Sequence, residues 1–156
     1  MDAEEAKALE DIDKYGCHVL KIFDEKGTEP DFAYSVGIFG KFKKPELVII
    51  GLNLDSAHEI INDYCERIKN GEEFIPGRFY SEFLSNDYDV CFVKVSEKYY
   101  HEYFGWNQWY YKGAPYEVLQ FIFPTKDKKW PWSKPKPEVF TWLPILTDSG
   151  QASKPS

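Results

Sequence analysis

The sequence is poor in methionine and cysteine, and it contains no long apolar run. One Met and three Cys occur among 156 residues, and no apolar stretch approaches the roughly 20 residues that a membrane-spanning helix needs. Basic residues are too few to balance the acidic ones, and the net charge is -7. An acidic surface repels phosphate groups, which disfavours binding to nucleic acid. The length suits one domain, so we expect a single acidic domain that does not span a membrane.

The cysteines do not form a recognisable framework. Cys17, Cys65 and Cys91 are odd in number, widely spaced and without a CxxC pair, so they resemble small buried apolar residues rather than a disulfide scaffold. The first 13 residues also lack the basic and apolar regions of a signal peptide. The sequence therefore predicts a reducing, cytoplasmic location.

Acidic residues are concentrated in the first half of the chain. Residues 1–78 hold 17 acidic and 10 basic side chains, whereas residues 79–156 hold nine of each. Six acidic residues lie within the first 13: Asp2, Glu4, Glu5, Glu10, Asp11 and Asp13. This segment is either a solvated helical lead-in or an acidic surface that meets a basic partner.

The hydrophobic pattern predicts an α+β domain. Apolar runs with β-branched residues predict strands over 17–23, 32–39, 46–52, 89–95, 117–123 and 139–146. Apolar spacings of three and four predict a helix over 56–69, with Ser56 and Glu59 as a capping box. We predict a mostly antiparallel sheet, or a partly closed split-barrel-like barrel, with this helix packed on it. The predicted divisions are an acidic lead-in helix over 1–14, a single domain over 15–146 and a mobile tail over 147–156.

The motifs of common catalytic and metal sites are absent. The three histidines have no metal-ligand spacing, and Ser35 does not lie in a G-x-S-x-G turn. Cys17 and His18 are neighbours in a predicted strand, so their side chains point to opposite faces and cannot pair. We therefore assign no catalytic or metal-ligating residue. This favours a non-enzymatic protein without deciding the question.

The unusual feature of the sequence is a dense group of aromatic residues near its end. Residues 99–142 hold 15 of the 28 aromatic residues and all five Trp. Trp106, Trp109, Trp130 and Trp132 fall in predicted loops, where they either fold back over the core or form a binding surface. Five lysines between positions 126 and 136 interleave with two of them. That arrangement suits single-stranded nucleic acid, but the net charge opposes it.

Four segments of the sequence form a recognisable set. They are YGCHV at 15–19, PDFAYSVG at 30–37, PELVIIGL at 45–52, and LQFIFP at 119–124 followed by WPW at 130–132. Together they resemble a bacterial family catalogued as domain of unknown function 4262. The sequence departs from the family pattern at Cys17, where a larger aromatic residue is expected, and at Thr125, where an acidic residue commonly stands. Membership implies a bacterial or phage origin but no activity.

A second, weaker resemblance rests on the order of elements in the first half of the chain. A strand that ends in a Tyr-Ser-Val-Gly turn is followed by a Pro-x-Leu-Val strand and a helix. This order is similar to part of the split barrels that bind flavin mononucleotide. The resemblance implies that Tyr34, Ser35 and Gly37 hold the cofactor phosphate, and that Trp106 or Trp109 covers the ring. Fold similarity does not establish function.

Two functional hypotheses follow. The first is a cytoplasmic, non-enzymatic module that binds a protein partner, of the immunity, inhibitor or defence kind, with Trp130 and Trp132 among the candidate contacts. The alternative is a split-barrel protein that binds a flavin or a nucleotide. Its cofactor would be flavin mononucleotide, and its activity as an enzyme would be that of an oxidoreductase. The sequence leaves the ligand, the partner and the oligomeric state open.

Overall fold

The computed structural model describes residues 2–85 and 87–155. Met1 and Ser156, the outermost residues of the predicted lead-in and tail, lie outside this part of the chain. The described helices are α1 (Ala3–Tyr15), α2 (Ile38–Phe42), α3 (Leu54–Lys69), α4 (Tyr100–Tyr103), α5 (Gly105–Tyr111) and α6 (Val139–Trp142). The strands are β1 (His18–Ile22), β2 (Phe32–Val36), β3 (Glu46–Ile50), β4 (Phe79–Tyr80), β5 (Val90–Lys94) and β6 (Val118–Ile122).

The strands form one open six-stranded sheet in the order β1-β2-β3-β6-β5-β4. The central pair, β3 and β6, is parallel, and every other neighbouring pair is antiparallel. The α+β prediction is therefore confirmed with a mostly antiparallel sheet. The sheet does not close, so the alternative of a partly closed barrel is not realised.

Two apolar layers cover the faces of the sheet. Ala33, Leu47 and Ile49 pack with the buried side of α3 on one face. Tyr34 and Val48, which alternate with them along the same strands, pack on the other face with residues of α4 and the segment before β6. The sheet is thus covered on both sides, which explains why every residue of β3 is buried.

Helix α3 forms as predicted, but it begins two residues earlier. Its N-cap is Asn53, whose side-chain oxygen accepts hydrogen bonds from the amides of Asp55 and Ser56. The prediction of a capping box from Ser56 and Glu59 is therefore wrong, because Ser56 lies inside the first turn. Asn53 is among the strongest N-cap residue types.

Two aromatic segments are helical where the sequence predicted otherwise. Residues 105–111 form α5 rather than a loop, and the predicted strand 139–146 is replaced by α6 and an extended segment. The side chain of Gln120 donates to the carbonyl of Pro144 at 2.9 Å and accepts from the amide of Leu146 at 2.8 Å. These bonds attach the segment to β6, so two of its backbone groups are satisfied without a neighbouring strand.

The segment and the start of the tail that follows it contact the residues after β5. The Ser96 amide donates to the carbonyl of Leu146, the last residue before the tail, at 2.7 Å. Within the tail, the carbonyl of Asp148 accepts from the Lys98 ammonium at 2.9 Å. No helix within residues 2–85 and 87–155 has the length and apolar character needed to cross a membrane.

Candidate functional site

A buried carboxylate organises the amino-terminal edge of β3. Glu46 is fully buried at the first position of that strand. It accepts hydrogen bonds from five donors: the Ser35 hydroxyl, the amides of Gly37, Ile38 and Phe39, and the Tyr111 hydroxyl. Burial raises the pKa of Glu46, whereas these hydrogen bonds act in the opposite direction. The carboxylate therefore ties β2, α2 and α5 to the centre of the sheet.

The turn that presents these amides requires glycine. Gly37 has a φ of 107°, in the left-handed region. A Cβ at this position would lie only 2.7 Å from the side chain of Ile12. The close approach of α1 and the strained backbone therefore both depend on Gly37.

Two of the three residues predicted to hold a flavin phosphate, Ser35 and Gly37, donate hydrogen bonds to this carboxylate. The Ser35 hydroxyl lies 2.7 Å from Glu46 Oε1, and the Gly37 amide lies 3.0 Å from Oε2. The hydroxyl of Tyr34 accepts a hydrogen bond from the Trp106 amide at 3.1 Å. A phosphate could use the Ser35 and Gly37 donors only by displacing Glu46. The flavin hypothesis stays a prediction, and no observation of the fold favours it.

Trp106 and Trp109 lie together on α5. Their rings meet edge to face at 5.3 Å, and Trp106 also lies 6.1 Å from the His18 ring. Between them, Asn107 is fully buried and donates to the carbonyl of Ser35 at 3.1 Å. The Asn107 Oδ1 has no hydrogen-bond partner within the described part of the chain. Both indoles are half-buried, and Trp106 packs against the apolar layer that covers this face of the sheet.

Trp130 and Trp132 form a separate aromatic pair. Their rings stack in parallel at 4.9 Å, and Phe79, which is 40% exposed, lies 5.4 Å from Trp130. The pair packs against Cys91 and the neighbouring residues of a small third cluster. Of the predicted site residues, the structure thus brings Tyr34, Ser35, Gly37 and Trp106 together, with Trp109 adjacent, and leaves these two tryptophans apart.

A cleft of about 460 Å³ lies between α1 and α3, beside the edge strand β1; we call it the β1 cleft. In it, His18 Nδ1 and Asp11 Oδ2 form a hydrogen-bonded pair at 2.7 Å. Burial alone would raise the pKa of Asp11, but the hydrogen bonds from Lys7 and His18 lower it. Its other polar lining residues are Lys7, His58, Asn62 and Glu66, and Cys17 and Cys65 also line it.

Exposed apolar side chains lie at the end of the sheet that is opposite to Glu46. Strands β1, β3 and β6 run in the same direction, so their carboxyl ends meet at one edge. Phe23 follows β1 and is 66% exposed, and Trp142 of α6 is 53% exposed. Both line a cleft of about 500 Å³ that also includes Leu52. We call Phe23, Leu52, Val139 and Trp142 the carboxyl-edge surface.

Gly51 allows α6 to reach this edge. Its φ is 94°, and a Cβ there would lie 2.4 Å from the Leu143 side chain. The close approach places Trp142 beside the end of β1. A second cleft of about 460 Å³ continues the surface, with Leu52, Phe123 and Val139 among its lining residues. The exposed apolar area therefore extends across the ends of three strands.

Acidic residues surround the first of these clefts. The loop between β1 and β2 contributes Asp24, Glu25, Glu29 and Asp31 against a single Lys26. The amide of Glu29 donates to Asp24 at 2.7 Å, which lowers the pKa of that carboxyl. The apolar surface thus has an acidic border.

Sequence reasoning missed three of these features for identifiable reasons. Glu46 looked like an ordinary polar residue at the start of a strand, although an acidic residue before a buried apolar run is a recognisable signal. The Asp11–His18 pair joins a helix to the strand after it, and periodicity does not report such a contact. Trp142 falls in a predicted strand, whereas its exposed position depends on α6. Within residues 2–85 and 87–155, no group of three or more His, Cys, Asp or Glu side chains is placed to hold a metal ion.

Comparison with known proteins supports the resemblance found in the sequence. A family model described as "Domain of unknown function (DUF4262)" matches residues 11–136. The match includes all six strands and the residues around Glu46, and it ends before α6. No curated protein and no solved structure matched the chain.

Proposed function

The chain belongs to the DUF4262 family, described only as a domain of unknown function, and we propose that it is a non-enzymatic module that binds a basic segment of a protein partner. The observation that carries the proposal is the joint exposure of Phe23 and Trp142 in one cleft. Exposed aromatic residues that lie in a cleft are typical anchors of protein interfaces. Their removal from water on binding provides the apolar part of the affinity.

The acidic border supports a basic partner. Four carboxylates and one ammonium group line the cleft that contains Phe23 and Trp142. Lys or Arg side chains of a partner would lie beside these carboxylates while an apolar residue of the partner enters the cleft. Complementary charge increases the association rate and rejects acidic competitors. The net charge of -7 also attracts a basic partner at longer range, before the two surfaces touch.

We propose that this binding serves an immunity- or inhibitor-type role in bacterial defence. Proteins that act on nucleic acids carry basic surfaces that contact phosphates. An acidic domain with apolar anchors can cover such a surface and compete with the nucleic acid. The proposal thus names the chemistry of the partner, which a direct binding experiment can test.

The experiment measures binding of short synthetic peptides by calorimetry. One set combines Lys and Arg with a central Leu or Phe, and a matched set replaces each basic residue by Glu. We expect the basic set alone to bind, with weaker binding at high salt because exposed charges are screened. Phe23→Ala and Trp142→Ala should each weaken binding by about tenfold or more, as expected for aromatic anchors.

The matched control is Tyr15→Ala. Tyr15 is also about half exposed, at 51%, but it lies at the end of α1, outside the carboxyl-edge surface. This variant should bind like the unmodified chain. Equal binding of acidic and basic peptides, or binding unaffected by Phe23→Ala and Trp142→Ala, contradicts the proposal. So does a dimer that these two substitutions dissociate, because the surface would then be covered by a second copy.

A further inference from the structure

Two of the three cysteines meet beside β1. Cys17 and Cys65 belong to the same buried apolar cluster, and both line the β1 cleft. Cys65 Sγ also donates to the carbonyl of Tyr15 at 3.7 Å. Cys17 precedes the edge strand β1, and Cys65 lies in α3. A bond between the two sulfurs would therefore connect the edge of the sheet to the helix that covers it.

The turn before β1 is shaped for this contact. Gly16 ends α1 with a φ of 96°, and a Cβ at this position would lie 3.4 Å from Cys65 Sγ and 2.9 Å from the Phe42 ring. Glycine therefore lets the backbone pass close to the Cys65 thiol, with Cys17 as the next residue. The alternation of side chains along the strand directs Cys17 towards α3 and leaves His18 to bond Asp11.

We propose that Cys17 and Cys65 form a reversible disulfide when the folded domain meets a low-molecular-weight disulfide such as glutathione disulfide. In the first exchange, the Cys65 thiolate attacks one sulfur of the oxidant. A mixed disulfide forms, the S–S bond of the oxidant breaks, and one thiolate departs. In the second exchange, the Cys17 thiolate attacks Cys65 Sγ, and the second thiolate departs as the mixed disulfide breaks. The protons of the two cysteines end on the two released thiols, and their electrons reduce the oxidant.

The environment of the pair distinguishes the attacking sulfur from the resolving one. The neighbouring Cys17 thiol lowers the pKa of Cys65, whereas the Cys65 thiol, together with burial, raises the pKa of Cys17. Cys91 differs from both, because it packs with Ile122 and Ile145 in a separate cluster, where burial alone raises its pKa to about 12. Cys91 therefore provides a matched internal control for a buried cysteine without a thiol neighbour.

The test treats the folded protein with glutathione disulfide, counts free thiols and maps peptides without reduction. The thiol count should fall from three to one, with a linked peptide that joins residues 17 and 65. Dithiothreitol should restore all the thiols, and circular dichroism should stay native throughout. The signals of His18 and His58 in nuclear magnetic resonance spectra should shift on oxidation, because both residues line the β1 cleft.

Three variants separate the possible outcomes. Cys91→Ser should form the same disulfide as the unmodified chain. Cys17→Ser should stop at a stable glutathione adduct on Cys65, because the resolving thiol is absent. If Cys65→Ser fails to fold, the unmodified chain and Cys91→Ser still provide the test. Three thiols that persist in the native protein, a lasting glutathione adduct on Cys65 of the unmodified chain, or a disulfide that involves Cys91 would overturn the proposal.

Discussion

Glu46 shows how one residue can determine the shape of one edge of the sheet. A buried carboxylate is costly unless hydrogen bonds satisfy both of its oxygens. Here Oε1 accepts from the Ser35 hydroxyl and the Ile38 amide, and Oε2 accepts from the amides of Gly37 and Phe39 and from Tyr111. The donors come from strand β2, from the turn at Gly37, from α2 and from α5. The carboxylate thus accepts hydrogen bonds from three backbone amides, those of Gly37, Ile38 and Phe39, in place of backbone carbonyls.

The Glu46→Gln variant tests this role. Glutamine has the same shape, but its amide group presents hydrogens to the backbone amides on whichever side it faces. At least one buried donor then loses its acceptor, which costs about 1–3 kcal/mol per group. We expect the free energy of unfolding to fall by about 2–5 kcal/mol when the lost charge-assisted bonds are included. Urea denaturation followed by circular dichroism measures the change.

Glu117→Gln is the control for loss of a carboxylate charge. Glu117 is exposed and lies directly before β6, beside the same edge of the sheet. Its substitution should change the free energy of unfolding by less than about 0.5 kcal/mol, as is usual for surface sites. If the two variants are equally stable, Glu46 does not organise this edge.

At the scale of elements, α3 depends on the residue that begins it. Asn53 caps the helix through two hydrogen bonds, at 2.9 and 3.1 Å. The Asn53→Ala variant removes this cap and should reduce the free energy of unfolding by about 1 kcal/mol. Ser56→Ala should have little effect on the free energy of unfolding, because Ser56 lies inside the first turn and does not cap the helix. Thermal unfolding of the two variants measures both effects. A larger effect of Ser56→Ala than of Asn53→Ala would contradict the assignment of Asn53 as the N-cap.

The elements that the sequence predicted correctly are those whose pattern is local. Helix α3 and strand β3 could be predicted because their apolar residues recur at helical spacing or form a continuous run. The segment after α6 could not, because the side chain of Gln120 satisfies its backbone from another element. An apolar run predicts burial, but it does not specify which neighbour provides the hydrogen bonds.

The candidate sites follow the same distinction. Phe23 and Trp142 are distant in sequence, and they become neighbours only because Gly51 lets α6 approach the sheet. Tyr34, Ser35 and Gly37 lie close together because they are near neighbours in the chain, and their role in binding stays a prediction. Glu46, which accepts hydrogen bonds from Ser35 and Gly37, comes from the next strand, whereas the Tyr34 hydroxyl contacts Trp106 of α5. Residue types at one site can therefore be predicted from a short segment, whereas the groups that they face depend on topology.

For the whole molecule, the high aromatic content has a consequence at alkaline pH. Burial raises the pKa of Tyr34, Tyr100 and Tyr103 to about 12, and it raises the pKa of Tyr64 further. In the unfolded chain, tyrosine ionises near pH 10. Between these values the folded protein binds more protons than the unfolded chain, so the free energy of unfolding decreases as pH rises above about 10.

We therefore expect the buried tyrosines to ionise only as the protein unfolds. Phenolate absorbance should rise in a late, cooperative step that coincides with the loss of native circular dichroism. In denaturant, all 11 tyrosines should instead titrate together near pH 10. Tyr34→Phe should reduce the amplitude of the late step, because the Tyr34 side chain is 1% exposed in the folded domain. A single reversible titration of every tyrosine, completed while the circular dichroism remains native, would show that these phenols are open to solvent and that the two apolar layers do not enclose them.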